Sequence, residues 1–174
     1  MASNRTWFPH STVAVIVEHP EDSTLPADDR RFLMVEEMEG DVRVLNQPAG
    51  HMEDEETILQ AAVREALEET GWEVAPTGLI GIYQLEISKQ ADPALPTVER
   101  KTYIRFAFVA KAVAHHPDMA LDEDILRADW FTLKEINSAP HLRSPIVKQA
   151  ILDYLDGAAY PLSLLRTCKW SQHF

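Results

Sequence analysis

The chain has 174 residues, 45% hydrophobic and 25% charged, with a net charge of −12 at pH 7. That length supports one domain spanning residues 1–174, with a core that needs no disulfide or metal staple, and the lone Cys168 reads as an inert tail thiol. The acidic balance disfavours a nucleic-acid polymer as partner, and the apolar run at 13–17 is too short for a signal core or a membrane span, so a cytoplasmic protein is expected.

Residues 11–18 (STVAVIVE) are rich in β-branched side chains and predict a buried strand. Residues 19–30 carry Pro20, Pro26 and several acids, the composition of a solvated hairpin loop. Strands at 31–36 and 41–45 follow, with Gly40 in the turn between them. Residues 46–50 (NQPAG) end the second strand and lead into a helix, with Gly50 allowing the backbone a close approach to a metal or phosphate.

The helix is predicted over about residues 57–70. At about 100° per residue, Glu65, Glu68 and Glu69 fall within one turn on one side. Leu59, Ala62, Val63, Ala66 and Leu67 fall on the other, so one face can bury itself while the other presents carboxylates. Like charges at this spacing cost roughly 0.2–0.5 kcal/mol each, and Glu68 and Glu69 oppose the helix macrodipole. A divalent cation would turn that repulsion into coordination, and a hard cation such as Mg²⁺ takes oxygen ligands together with substrate phosphates.

After Gly71 closes the helix, residues 77–87 read as a strand, 88–100 as a mobile loop with Pro93 and Pro96, and 101–114 as the longest strand. Arg105 interrupts that strand, either as an arginine on a sheet's wet face or as a phosphate-binding cation directed into a cleft. His115 and His116 are adjacent in an extended chain and point apart, which argues against a metal pair. The acids Asp122, Glu123 and Asp124 precede a strand around Trp130 and form a solvated loop or supply a further metal oxygen. A short helix at 132–138 follows. Ser144 before Pro145 is a good N-cap for a helix to Asp156, with Ile146, Ala150, Ile151, Tyr154 and Leu155 as its apolar stripe. Residues after Pro161 are poorly specified, and 169–174 read as frayed. Arg143, just before that N-cap, is either an exposed loop arginine or one folded over a cleft to pair with phosphate.

Gly50, Glu56, Arg64, Glu65, Glu68, Glu69 and Gly71 stand at the spacing G-x5-E-x7-R-E-x-x-E-E-x-G. At roughly 7% per residue type, chance agreement in one window is about 10⁻⁸. The stretch resembles the box of the Nudix hydrolase superfamily. Flanking pieces resemble its bacterial NudJ-type phosphatases: Pro9-His10, NQPAGH at 46–51, Arg105-Phe106, LRSP at 142–145 and YPL at 160–162. The loop at 88–100 looks longer than in that branch.

The resemblance implies an α/β/α sandwich around a mixed sheet and Mg²⁺-dependent hydrolysis of a phosphoanhydride, with Mn²⁺ as a substitute. It implies Glu65, Glu68 and Glu69 as metal-site carboxylates, a metal contact from the Ala49 carbonyl, Arg64 orienting Glu65, and Glu56 supporting the helix. Glu65 is the candidate base, with Asp122 or Asp124 as alternatives. Arg105 and Arg143 are the candidate substrate-binding residues. The implied substrates are small diphosphates and triphosphates: nucleoside tri- and diphosphates and hydroxymethylpyrimidine diphosphate, losing terminal phosphate. Cleavage to a monophosphate and pyrophosphate, splitting of a dinucleoside compound, and a non-catalytic binding module are the competing readings. A monomer or homodimer is expected.

Overall fold

A computed structural model describes residues 7–90 and 98–170. Seven strands and three helices follow in order: β1 (His10–Val17), β2 (Arg31–Glu39), β3 (Val42–Asn46), β4 (Ala49–His51), α1 (Ile58–Thr70), β5 (Trp72–Gln90), β6 (Val98–His115), β7 (Ile125–Thr132), α2 (Leu133–Ser138) and α3 (Pro145–Leu155). The expected mixed α/β architecture is present, with its strands divided between two sheets. One is the four-stranded sheet β4-β1-β6-β5, in which β1 runs parallel to β6 and the other pairs are antiparallel. The other is the antiparallel sheet β3-β2-β7.

Strand β1 is central because both of its faces are apolar. Val13, Val15 and Val17 join Ala61, Ala62 and Ala66 of α1 in one core cluster. Ile16 joins Val147, Ala150 and Ile151 of α3, with Phe32 and Met34 of β2, in the other. A continuous apolar run such as 13–17 (VAVIV) is what a strand covered on both sides requires.

Four expectations need correction. Residues 19–30 do not close a hairpin, because β1 and β2 lie in different sheets, with an isolated bridge between Glu18 and Phe32 where the chain leaves β1. Nor is that loop simply solvated: Asp22 is buried and accepts from the Arg31 backbone N–H at 2.9 Å and from its guanidinium at 2.8 Å. Strand β5 begins at Trp72, five residues early, crossing Pro76, Gly78 and Gly81 through register shifts that keep it paired with β6. It continues to Gln90, pairing with Val98, so residues 88–90 and 98–100 of the expected loop are strand; residues 91–97 lie outside the described residues. Finally, Leu162 and Leu165 pack on the α1-side core beyond Pro161; of the end expected to fray, 171–174 lie outside the described residues.

Candidate active site

The local sequence sets α1 firmly in place. Thr57 accepts from the Gln60 backbone N–H at 3.2 Å, and the Gln60 side chain accepts from the Thr57 N–H at 2.9 Å. The T-x-x-Q pattern at 57–60 is the sequence signal for this box, and the reading of the helix over 57–70 did not use it. At the other end Gly71 takes φ 68° and donates to the Leu67 carbonyl.

The helix does not divide into an apolar buried face and an acidic wet one. Glu65 and Glu69 are buried at 8% and 6% exposure, whereas Leu59, Val63 and Leu67 are only half-buried. The small side chains of Ala61, Ala62 and Ala66 let α1 lie close on the sheet, and β4 is shaped to receive the two acids. A Cβ on Gly50 would fall on the Glu65 carboxylate. Gly50 therefore makes room for a carboxylate from the chain itself. The Ala49 N–H donates to the Glu69 carboxylate at 2.8 Å.

Arg64 organises the rest. Its Nε and Nη2 donate to the two Glu56 oxygens at 3.0 and 2.9 Å, and Nη2 also reaches the His51 carbonyl at 3.0 Å. Its Nη1 donates to Glu65 at 3.0 Å and Glu68 at 2.9 Å. Glu56 also accepts from the Glu53 N–H at 2.6 Å, tying the preceding loop to the helix. The bidentate pair holds the guanidinium plane, and the plane fixes both helix carboxylates. Glu56 is accordingly held below the ordinary carboxylate range, chiefly by Arg64. Burial pushes Glu65 up against the pull of Arg64, and pushes Glu69 up to about 9 against its Ala49 hydrogen bond.

Oxygens of Glu65, Glu68 and Asp122 lie within 4.8 Å of one another. Asp122 arrives because its backbone N–H donates to the Glu68 carbonyl at 3.1 Å, docking the loop on the open C-terminal turn of α1. Glu69 and Asp124 are not in this cluster. The donor set is three hard oxygens, one buried, one half-buried and one exposed, which fits a hydrated divalent cation that also takes substrate oxygens. His115 and His116 point apart, as expected: one stacks on Trp72 at 4.5 Å and the other bonds Glu73 at 2.7 Å.

Arg105 is not on a wet face. It pairs with Thr12 in register and enters the cleft between the two sheets, where its Nη1 is buried without a hydrogen-bond partner among the described residues. Burial lowers its pKa, while Glu37 and Glu69 raise it. Arg143 does fold toward the same cleft, but its guanidinium is paired with Glu39 and lies 3.4 Å from Glu37. Those two glutamates of β2 carried no signal in the sequence, because their role depends on which sheet edge faces β6.

A family model described as NUDIX domain matches residues 9–152. Phosphatase NudJ of Escherichia coli K12 is 36% identical over 162 residues, covering 93% of this chain and 94% of that protein. The solved NUDIX hydrolase from Nitrosomonas europaea is 40% identical with a TM-score of 0.77, covering 92% of this chain and 98% of that one. The NUDIX domain of Shewanella oneidensis NrtR, solved with ADP ribose, shares the fold at 15% identity and a TM-score of 0.58, over 87% of this chain and 89% of that one.

Proposed function

The chain belongs to the Nudix family and is a hydrolase of phosphorus-containing acid anhydrides, and from that premise we propose a divalent-metal-dependent phosphatase that removes terminal orthophosphate. Its proposed substrates are nucleoside tri- and diphosphates and hydroxymethylpyrimidine diphosphate, handled within one catalytic domain. The observation that carries the reading is the approach of Glu65, Glu68 and Asp122 oxygens to within 4.8 Å, beside an arginine that fixes two of them.

Glu65, Glu68 and Asp122 would hold the metal, with Glu69 and the Ala49 carbonyl completing its surroundings. Mg²⁺, or Mn²⁺ in its place, would neutralise charge on phosphoryl oxygens and make water more acidic there. The chain's own part is positioning. Arg64 keeps Glu65 and Glu68 from turning away, and Gly50 gives the Glu65 carboxylate its seat. Glu65 is the proposed base, because it is the most enclosed member of the cluster and one of its oxygens is pinned by Arg64; Asp122 is the alternative. Arg105 and Arg143 border the cleft through which substrate enters and are its proposed contacts.

Terminal attack rests on similarity to the phosphatases named above. Chromatography of a nucleoside triphosphate reaction, run without added pyrophosphatase, tests it. Orthophosphate and nucleoside diphosphate should appear first, followed by monophosphate. Pyrophosphate as the first product, with no diphosphate at any time, would overturn terminal attack in favour of internal cleavage.

A further inference from the structure

Strand β5 lies at the edge of the four-stranded sheet, paired with β6 on its inner side. On its outer side it meets Tyr160, which exchanges two backbone hydrogen bonds with Leu79 at 2.8 and 2.7 Å. Beyond that bridge, the outer edge from Gly81 to Ser88 has no backbone partner among the described residues. The outward N–H and C=O groups of an edge strand are a template for another strand unless the edge is blunted.

The devices that blunt an edge are confined to the first half of β5. Pro76 and the three register shifts all fall between Glu73 and Gly81, and from Ile82 to Gln90 the strand keeps one register with β6. Residues 80–88 (IGIYQLEIS) hold one charged side chain, Glu86, in a chain that is 25% charged and carries a net −12. Apolar side chains stay exposed on both faces of this stretch, Ile82 at 59% and Ile87 at 43%. Two copies at that net charge repel over most of their surface, so a contact between them requires a stretch nearly free of charge. This edge supplies one.

We propose that the outer edge of β5 pairs antiparallel with the same edge of a second copy of this chain, about a two-fold axis at Leu85. On one face of the joined sheet, Leu85 then faces Leu85 and Tyr83 faces Ile87, so apolar side chains meet across the axis. On the other face Ile82 faces Ser88, and Gln84 of each copy faces Glu86 of the other. Within one chain the Gln84 amide already donates to the Glu86 carboxylate at 2.9 Å, and the same donor and acceptor are matched across the edge. A two-fold at Gln84 would set Glu86 against Ile82, and one at Glu86 would set that carboxylate against itself. The axis at Leu85 also brings Lys89 of the second copy opposite Gly81. Gly81 shares a pocket with Asp156, whose exposed carboxylate has no partner among the described residues.

Analytical ultracentrifugation of the full chain, from about 1 to about 500 µM, tests the pairing. An edge contact of this length is small, so a dimer with a Kd of about 1–100 µM is expected. Gln84→Glu sets an acid against Glu86 twice in each dimer and should weaken association at least about tenfold. Adding Glu86→Lys to that variant should restore association, because each new acid then faces a lysine. Both positions are exposed, so the circular dichroism spectrum and Tm of the two variants should match wild type. A wild type that stays monomeric at about 500 µM overturns the inference and leaves the edge to a different partner. A dimer that Gln84→Glu does not weaken overturns it as well, and so does one that the double variant does not restore, because the contact then lies elsewhere or in another register.

Discussion

The carboxylate of Glu65 lies over Gly50, in the space a Cβ at that position would occupy. The glycine that opens the G-x5-E-x7-R-E-x-x-E-E-x-G stretch and the glutamate fifteen positions later are thus one structural unit. The substitution Gly50→Ala meets no barrier of backbone sign, because Gly50 is not among the positive-φ glycines. It should instead expel the carboxylate. Activity is expected to fall at least about 100-fold, with a far-ultraviolet circular dichroism spectrum like that of wild type. Wild-type rates in Gly50→Ala would show that the Glu65 position is not needed.

Asp122 and Asp124 are near neighbours in one exposed acidic loop, but only Asp122 joins the helix carboxylates. Asp122→Asn should lower kcat/KM about 10- to 100-fold and raise the metal concentration needed for half-maximal rate. Asp124→Asn should change either quantity less than about threefold. Equal losses in the two variants would point to a general effect of acidic charge.

Asp22 and Arg31 are expected to make a pH-dependent contribution to stability. The Arg31 hydrogen bonds lower the Asp22 carboxyl from 3.8 to about 2. A depressed carboxylate stabilises the fold above its unfolded value, and that contribution is lost as pH falls through its folded value. Asp22→Asn should therefore cost about 1 kcal/mol near neutral pH, or roughly 2–4 °C in Tm, after allowance for the partly exposed Arg31. The gap between variant and wild type should close between about pH 4 and pH 2. A gap that does not change with pH would assign the loss to packing.

Arg143 is the proposed substrate contact most open to a plain surface role, being 38% exposed and paired with glutamates. Exposed pairs contribute little to stability, so Arg143→Ala should shift Tm by no more than about 2 °C. If the side chain meets substrate, kcat/KM falls about tenfold. Unchanged kinetics would return Arg143 to the surface.

What could be read from the sequence divides along the line between local and non-local causes. Helix α1 was legible because its period and its αL glycine are both local. The β-branched run of β1 announced a strand covered on both faces. The burial of Glu65 and Glu69 was not legible, since it depends on Gly50 and the Ala49 N–H being carried across from β4. Arg105 gave two readings because strand alternation names a face without saying what covers it. The early start of β5 was hidden by Pro76, which looks like a breaker and sits at a register shift in a paired strand. Ser144 was recognisable as a cap by position, but only the structure separates its hydroxyl from capping.

The central claim is that carboxylates at the end of α1 hold a divalent cation that makes phosphoanhydride hydrolysis possible. Its most direct test is orthophosphate release from a nucleoside diphosphate by chelator-stripped wild type and Glu68→Gln, titrated with Mg²⁺. Wild type should be inactive without metal and recover fully on titration, while Glu68→Gln should stay at least about 100-fold slower at saturating Mg²⁺ with its fold intact. Full activity of Glu68→Gln in EDTA would contradict the account.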